Sequence, residues 1–191
     1  MPLITQSELD AELDRLGTER LRAVVKLDTH NPWSVPALVL AVASRETWIE
    51  NIDGDPENKD GNGKGAWQID KRSWANWLSQ VPGVANGTWD PVVPHVTALD
   101  DGYCPTLEDG VKQAIAILKD YWDQTERWAP ESQHIRAMVA SYNAGPGGAF
   151  SGWEVHRDVD YFTTGQNYAS DVLGRQNMVH AYLLTHRLVK K

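Results

Sequence analysis

The stretch from Val35 to Ala43 is apolar at almost every position and ends, three residues later, at one carboxylate, Glu46. An amphipathic surface helix would interrupt such a run with polar residues. A segment apolar on every face has to be enclosed by the rest of the chain. Ser34 is placed to cap it, and Pro36 is tolerated in its first turn. The spacing therefore predicts a buried central helix that delivers Glu46 at its end. Two further acids, Asp60 and Asp70, follow around closely spaced glycines in Asp60-Gly-Asn-Gly-Lys-Gly-Ala-Trp-Gln-Ile-Asp70. One carboxyl in apolar surroundings and others in a polar loop form the composition that paired acid/base chemistry needs.

Helical periodicity dominates the remainder. Ser7-Glu8-Leu9-Asp10 reads as a capped helix start. Leu9, Leu13 and Leu16 follow, Gly17-Thr18 breaks the pattern, and Leu21, Val24 and Leu27 resume it until His30-Asn31-Pro32. Asp53 to Gly63 is loop chemistry, Ala66 to Asp70 a short extended piece, and Ser73 to Leu78 a helical turn. Ser79 to Pro105 is expected to be a long irregular connection. Thr106-Leu-Glu-Asp109 caps a helix with the stripe Leu107, Val111, Ala114/Ile115, Leu118 and Tyr121/Trp122. A shorter helix runs through Ile135, Met138 and Val139 to about Tyr142. Gly145 to Gly152 reads as a flexible loop, and a last helix from about Asn167 uses Tyr168, Val172, Val179 and Leu183. The fold class expected is mainly α, helices around a central buried helix, with at most a small β-hairpin near residues 63 to 70. With 191 residues and no composition shift, one domain is expected, residues 1–33 forming a helical segment packed on it.

Charge and cysteine content narrow the function classes. A formal charge of −8 speaks against nucleic-acid binding and against adhesion to anionic surfaces by charge alone. Cys104 is the only cysteine, which rules out an intramolecular disulfide, suits a reducing cytosol and, with no histidine nearby, reads as inert. Met1 to Arg20 lacks the apolar core of a signal peptide, and Val35 to Ala43 is too short to span a bilayer. The expectation is cytoplasmic synthesis without a signal peptide, no membrane insertion and a monomer.

Other chemistries find no footing. Asp53, Asp55, Glu57, Asp60 and Asn62 alternate as calcium ligands do, but no window has the EF-hand order. The six histidines contain no HExxH pair, and neither Gly-x-Ser-x-Gly nor a phosphate loop occurs. No metal or cofactor is expected. Nine tryptophans, with Trp67, Trp74 and Trp77 just beyond the loop, supply flat rings suited to sugar faces and equally to core packing.

For Glu46 itself, neighbours Ala43, Trp48 and Ile49 would desolvate the carboxylate and raise its pKa, as a general acid requires. Local sequence leaves a second reading open, in which Glu46 only pairs with Arg45 or another arginine. Four motifs in order bear on that choice. Ser44-Arg45-Glu46, then Gly65-Ala66-Trp67-Gln68-Ile69-Asp70, then Ser141-Tyr142-Asn143-Ala144-Gly145, then Thr163-Thr164-Gly165-Gln166-Asn167-Tyr168-Ala169-Ser170-Asp171-Val172 resemble the catalytic core of goose-type lysozymes and the related soluble lytic transglycosylases. The resemblance covers roughly residues 35 to 185.

It implies a lysozyme-like fold and a peptidoglycan muramidase cleaving the β-1,4 bond between N-acetylmuramic acid and N-acetylglucosamine. Glu46 matches the family's general acid and Asp70 the second of its two water-holding aspartates. Asp60 matches the first only with a one-residue shift, since without a gap that place falls on Lys59; Asp55 is a weaker substitute. Tyr142 and Asn143 match residues lining the cleft beside the sugar, Tyr168 is expected across from them, and Trp67 and Gln68 within the motif complete the substrate-binding set. Trp67 stands where the family has methionine, Lys64 where it has an apolar residue, and the vertebrate cysteines are absent, which suggests a bacterial or phage member such as a lysin. An inverting hydrolase needs a second carboxylate about 6.5–9.5 Å from the acid, whereas a transglycosylase needs none, so Asp70 favours hydrolysis. The alternatives are a lytic transglycosylase on the same fold and a non-catalytic glycan-binding module.

Overall fold

The computed structural model describes residues 4–26, 36–52, 63, 65–70, 96–97 and 107–189. Six α-helices make up most of it: α1 (Gln6–Leu16), α2 (Thr18–Lys26), α3 (Pro36–Thr47), α4 (Leu107–Thr125), α5 (His134–His156) and α6 (Tyr168–Thr185). The fold is mainly α, as the periodicity predicts. Ser34, Leu27, His30, Asp53 to Asn62, Ser73 to Leu78, Trp74, Trp77 and Cys104 lie outside the described residues.

Helix α3 is the centre. Every residue from Ala37 to Ala43 is at most 1% exposed, so the all-round apolar run is buried all round. It packs most extensively against α6, while α5 bridges α6 to α4 and α1 covers another side of α6. Leu9, Leu13 and Leu16 of α1 and Val172, Val179 and Leu183 of α6 close the same core. The break between α1 and α2 is at Gly17, whose φ of 83° suits glycine and no side-chain-bearing residue.

Three local expectations are corrected. The first helix is capped by Thr5, not Ser7: the Thr5 hydroxyl takes the Glu8 N–H, and the Glu8 side chain returns to the Thr5 N–H. The four-residue signature simply begins two residues earlier. Gly145 to Gly152 is helix rather than loop. The chain breaks only at Gly145 (φ 72°, ψ 159°), and Pro146 then restarts the helix where a missing N–H costs nothing. Residues 65–68 form a turn, not an extended piece or hairpin. The described strands lie elsewhere, β1 (Asn51–Ile52) pairing antiparallel with β2 (Val96–Thr97) in the register Asn51↔Thr97 and Ile52↔Val96.

The turn at 65–68 is fixed by Trp67. Its indole N–H donates to the Val39 carbonyl at 2.9 Å, and its ring lies against α4 at Gly110, where a Cβ would stand 2.7 Å from Cε3. Gly110→Ala is accordingly expected to lower stability by about 1–3 kcal/mol in urea denaturation. An unchanged midpoint would show that the Trp67 ring is not clamped there.

Candidate functional site

Helix α3 stops immediately beyond Glu46. Trp48 and Ile49 adopt left-handed φ values of 55° and 57°, and the Ile49 N–H donates back to the Ala43 carbonyl at 3.3 Å. This is the helix-closing pattern usually assigned to glycine. Arg15 of α1 holds it from outside, donating to the Trp48 carbonyl at 2.9 Å and to Glu50 at 2.8 Å.

The half-buried Glu46 carboxylate accepts a hydrogen bond from the Tyr168 hydroxyl at the start of α6. Burial, and after it the charge of Glu46, holds the Tyr168 hydroxyl well above the usual phenol range. Tyr142 of α5 is raised in the same way, by burial and then by Glu46 and Tyr121. Tyr121 of α4 is raised by burial and then by the charges of Asp120 and Asp70. Three phenols contributed by three helices thus feel one or other carboxylate, Tyr168 and Tyr142 the charge of Glu46 and Tyr121 that of Asp70. All three stay protonated through neutral pH, where Tyr168 donates to Glu46 and Tyr142 to the Trp67 carbonyl.

The loop bearing Asp70 is tied to the same helices. Thr47, next to Glu46, donates to the Ala66 carbonyl at 2.9 Å, and Tyr142 donates to the Trp67 carbonyl at 2.9 Å. Gln68 sits at φ 46°, its amide donating to the Gly65 carbonyl at 3.0 Å. Asn143 is exposed, and its Oδ1 accepts the Thr164 N–H at 2.7 Å, joining the third motif to the fourth.

The structure therefore gathers Glu46, Tyr142, Tyr168, Trp67, Gln68 and Asp70 from four motifs, with Asn143 at the edge. Trp67 departs from expectation. At 1% exposure it offers no face to a sugar; it is the anchor that sets the turn. Tyr168, also 1% exposed, holds Glu46 rather than presenting a ring to solvent. Asp60, Asp55 and Lys59 lie outside the described residues, so the site is drawn without them.

Sequence reasoning missed the support behind the acid. Asp171 Oδ2 receives Arg45 Nε at 2.9 Å and Arg175 Nε at 3.2 Å. Arg175 Nη1 donates to the Ser44 carbonyl at 3.0 Å and hydroxyl at 2.7 Å, and that hydroxyl donates to Glu12 of α1 at 2.6 Å. Arg45 also lies over the Tyr168 ring at 5.4 Å. All five residues of the network are at most 8% exposed. The i, i+4 spacing of Asp171 and Arg175 was the available signal. Glu12 could not be found, because it occupies a leucine stripe as an unexceptional acid.

Among the described residues no group of three or more His, Cys, Asp and Glu side chains is arranged to hold a metal. Among them, too, no helix is long and apolar enough to cross a membrane.

No protein-family model matches the chain. Individual proteins do. It is 27% identical over 172 residues to lysozyme g of Struthio camelus, covering 90% of this chain and 72% of that one. The values for lysozyme G of Dromaius novaehollandiae are again 27%, 90% and 72%. Lysozyme g of Takifugu rubripes is 28% identical over 171 residues, 86% of this chain and 76% of that one. The chain is similar to goose-type lysozymes over most of its length. Among the described residues, the turn before Asp70 is tied to the end of α3 and to α5 by the hydrogen bonds of Thr47 and Tyr142.

Glu12 yields a test of the buried network. Burial raises its carboxyl above the ordinary 4.5, against the opposing Ser44 hydrogen bond and Arg175 charge. The native state then holds that proton more tightly than the unfolded chain. Its contribution to stability is complete below the unfolded value and is lost as pH rises through the native one. Across urea melts from pH 4 to 7, parent stability relative to Glu12→Gln is expected to fall with rising pH. A constant difference would mean that Glu12 does not titrate in that burial.

Proposed function

We propose that this chain is a peptidoglycan muramidase that hydrolyses the β-1,4 bond between N-acetylmuramic acid and N-acetylglucosamine, with inversion. Glu46 gives its proton to the leaving glycosidic oxygen. Asp70 holds and deprotonates the water that attacks the opposite face of the sugar, with Asp60 as the candidate second aspartate. The observation that carries this reading is the Tyr168 hydroxyl donating to the half-buried Glu46 carboxylate, with the turn that leads to Asp70 tied to the same helix end through Thr47 and the Ala66 carbonyl.

Each neighbour then has a task. Once Glu46 has lost its proton, the Tyr168 hydroxyl stabilises the resulting carboxylate by donating to it. Tyr142 keeps the Asp70 turn in register through the Trp67 carbonyl. Asn143, its Oδ1 engaged by Thr164, offers its amide N–H groups to a sugar oxygen. The developing oxocarbenium-like charge lies between two carboxylates, the arrangement that glycoside hydrolysis uses.

In a turbidity assay on purified peptidoglycan, Glu46→Gln is expected to lower the clearing rate by at least about a hundredfold, at the lower end of what general acid catalysis supplies. Equal clearing by parent and variant would remove Glu46 from the chemistry. Mass spectrometry of the products decides the reaction class: reducing ends are expected, and 1,6-anhydromuramic ends would make the enzyme a transglycosylase.

A further inference from the structure

The segment that leads into the Thr164 turn carries exposed aromatic rings that the proposed chemistry does not use. Tyr161 is 37% and Phe162 53% exposed, although they lie between two buried residues, Asp160 and Thr163. Those anchors are firm. Asp160 accepts the Ala169 N–H at 2.8 Å, the Ser170 hydroxyl at 3.0 Å and Arg136 at 2.9 Å, and Thr163 donates to the Asp160 carbonyl at 2.8 Å. Gly152 of α5 allows the segment to fold back, since a Cβ there would stand 2.6 Å from the Asp158 carbonyl oxygen.

The result is a preformed aromatic corner. His156, the last residue of α5, stacks on Tyr161 with centroids 3.4 Å apart and planes 11° apart. Phe162 stands across both, at 85° to Tyr161 and 75° to His156, with centroids at 5.0 and 5.9 Å. A flat floor with an upright wall fits a pyranose ring, whose apolar C–H face lies on the floor. Three rings make a patch far below the roughly 800 Å² per partner of a stable protein interface. The corner also adjoins the candidate cleft: Phe162 is two residues, at most about 7.6 Å between Cα atoms, from Thr164, which binds Asn143.

We propose that His156, Tyr161 and Phe162 form an additional glycan subsite, which takes an N-acetylhexosamine unit of a strand running on from the cleft beside Asn143. This rests on the muramidase reading and deepens it. Because the rings are held between buried anchors, little freedom is lost when a sugar settles on them. Longer strands should therefore bind more tightly than short ones.

The test uses the full chain carrying Glu46→Gln, so that ligands stay intact, with N-acetylglucosamine trimer and hexamer as probes in calorimetric titration. Adding Tyr161→Ser and Phe162→Ser is expected to weaken hexamer binding about tenfold and to leave trimer binding and the thermal midpoint unchanged. Unchanged hexamer affinity, in a protein whose parent clears peptidoglycan, overturns the subsite and spares the muramidase reading. Equal weakening of both probes overturns it by showing that the rings only support the cleft. A dimer in sedimentation that the two substitutions dissociate would overturn it in favour of contact between copies. Failure of both probes to bind, together with equal clearing by parent and Glu46→Gln, would remove the muramidase reading and the subsite with it.

Discussion

A single buried carboxylate, Asp171, receives two guanidinium groups, Arg45 from α3 and Arg175 from its own helix. The rest of the site is arranged around that contact. Placing three charges in an apolar interface is costly, and Arg175 offsets part of that cost by donating to the Ser44 carbonyl and hydroxyl, the hydroxyl in turn donating to Glu12. Removing one member would strand the others, at a cost of about 3–5 kcal/mol. The apolar faces of α3 and α6 could slide against one another; the ion pairs fix their register. That register sets the Tyr168 hydroxyl on the Glu46 carboxylate.

Position and chemistry are therefore separated along three consecutive residues. Ser44 and Arg45 point into the network behind α3, and Glu46 points to the Tyr168 hydroxyl. Thr47 turns back to hold the Ala66 carbonyl of the loop that ends at Asp70. One short sequence thus aims an acid, braces it and ties down its partner loop. Helix α3 then ends abruptly, with two left-handed residues, Trp48 and Ile49, in succession.

Much of this was legible from periodicity. The all-apolar run of α3, the leucine stripe of α1 and the α6 pattern predicted the core because burial and spacing are properties of single helices. What was hidden arises between helices. Trp67 looked like a sugar platform, yet its indole N–H finds Val39 and the bare Gly110 makes room for its ring. Tyr121 reads as one more residue of a stripe, yet the charge of Asp70, from another segment, helps to raise its hydroxyl. The glycine-rich stretch after Asn143 read as loop, but its proline sits where a helix tolerates proline best.

In the proposed reaction Tyr168 orients Glu46 without itself touching the sugar. Steady-state kinetics of Tyr168→Phe on a soluble glycan fragment test it most directly. The ring is buried and only its hydroxyl reaches the acid, so kcat is expected to fall about tenfold to a hundredfold while KM stays unchanged. A raised KM with an intact kcat would instead place Tyr168 against the substrate.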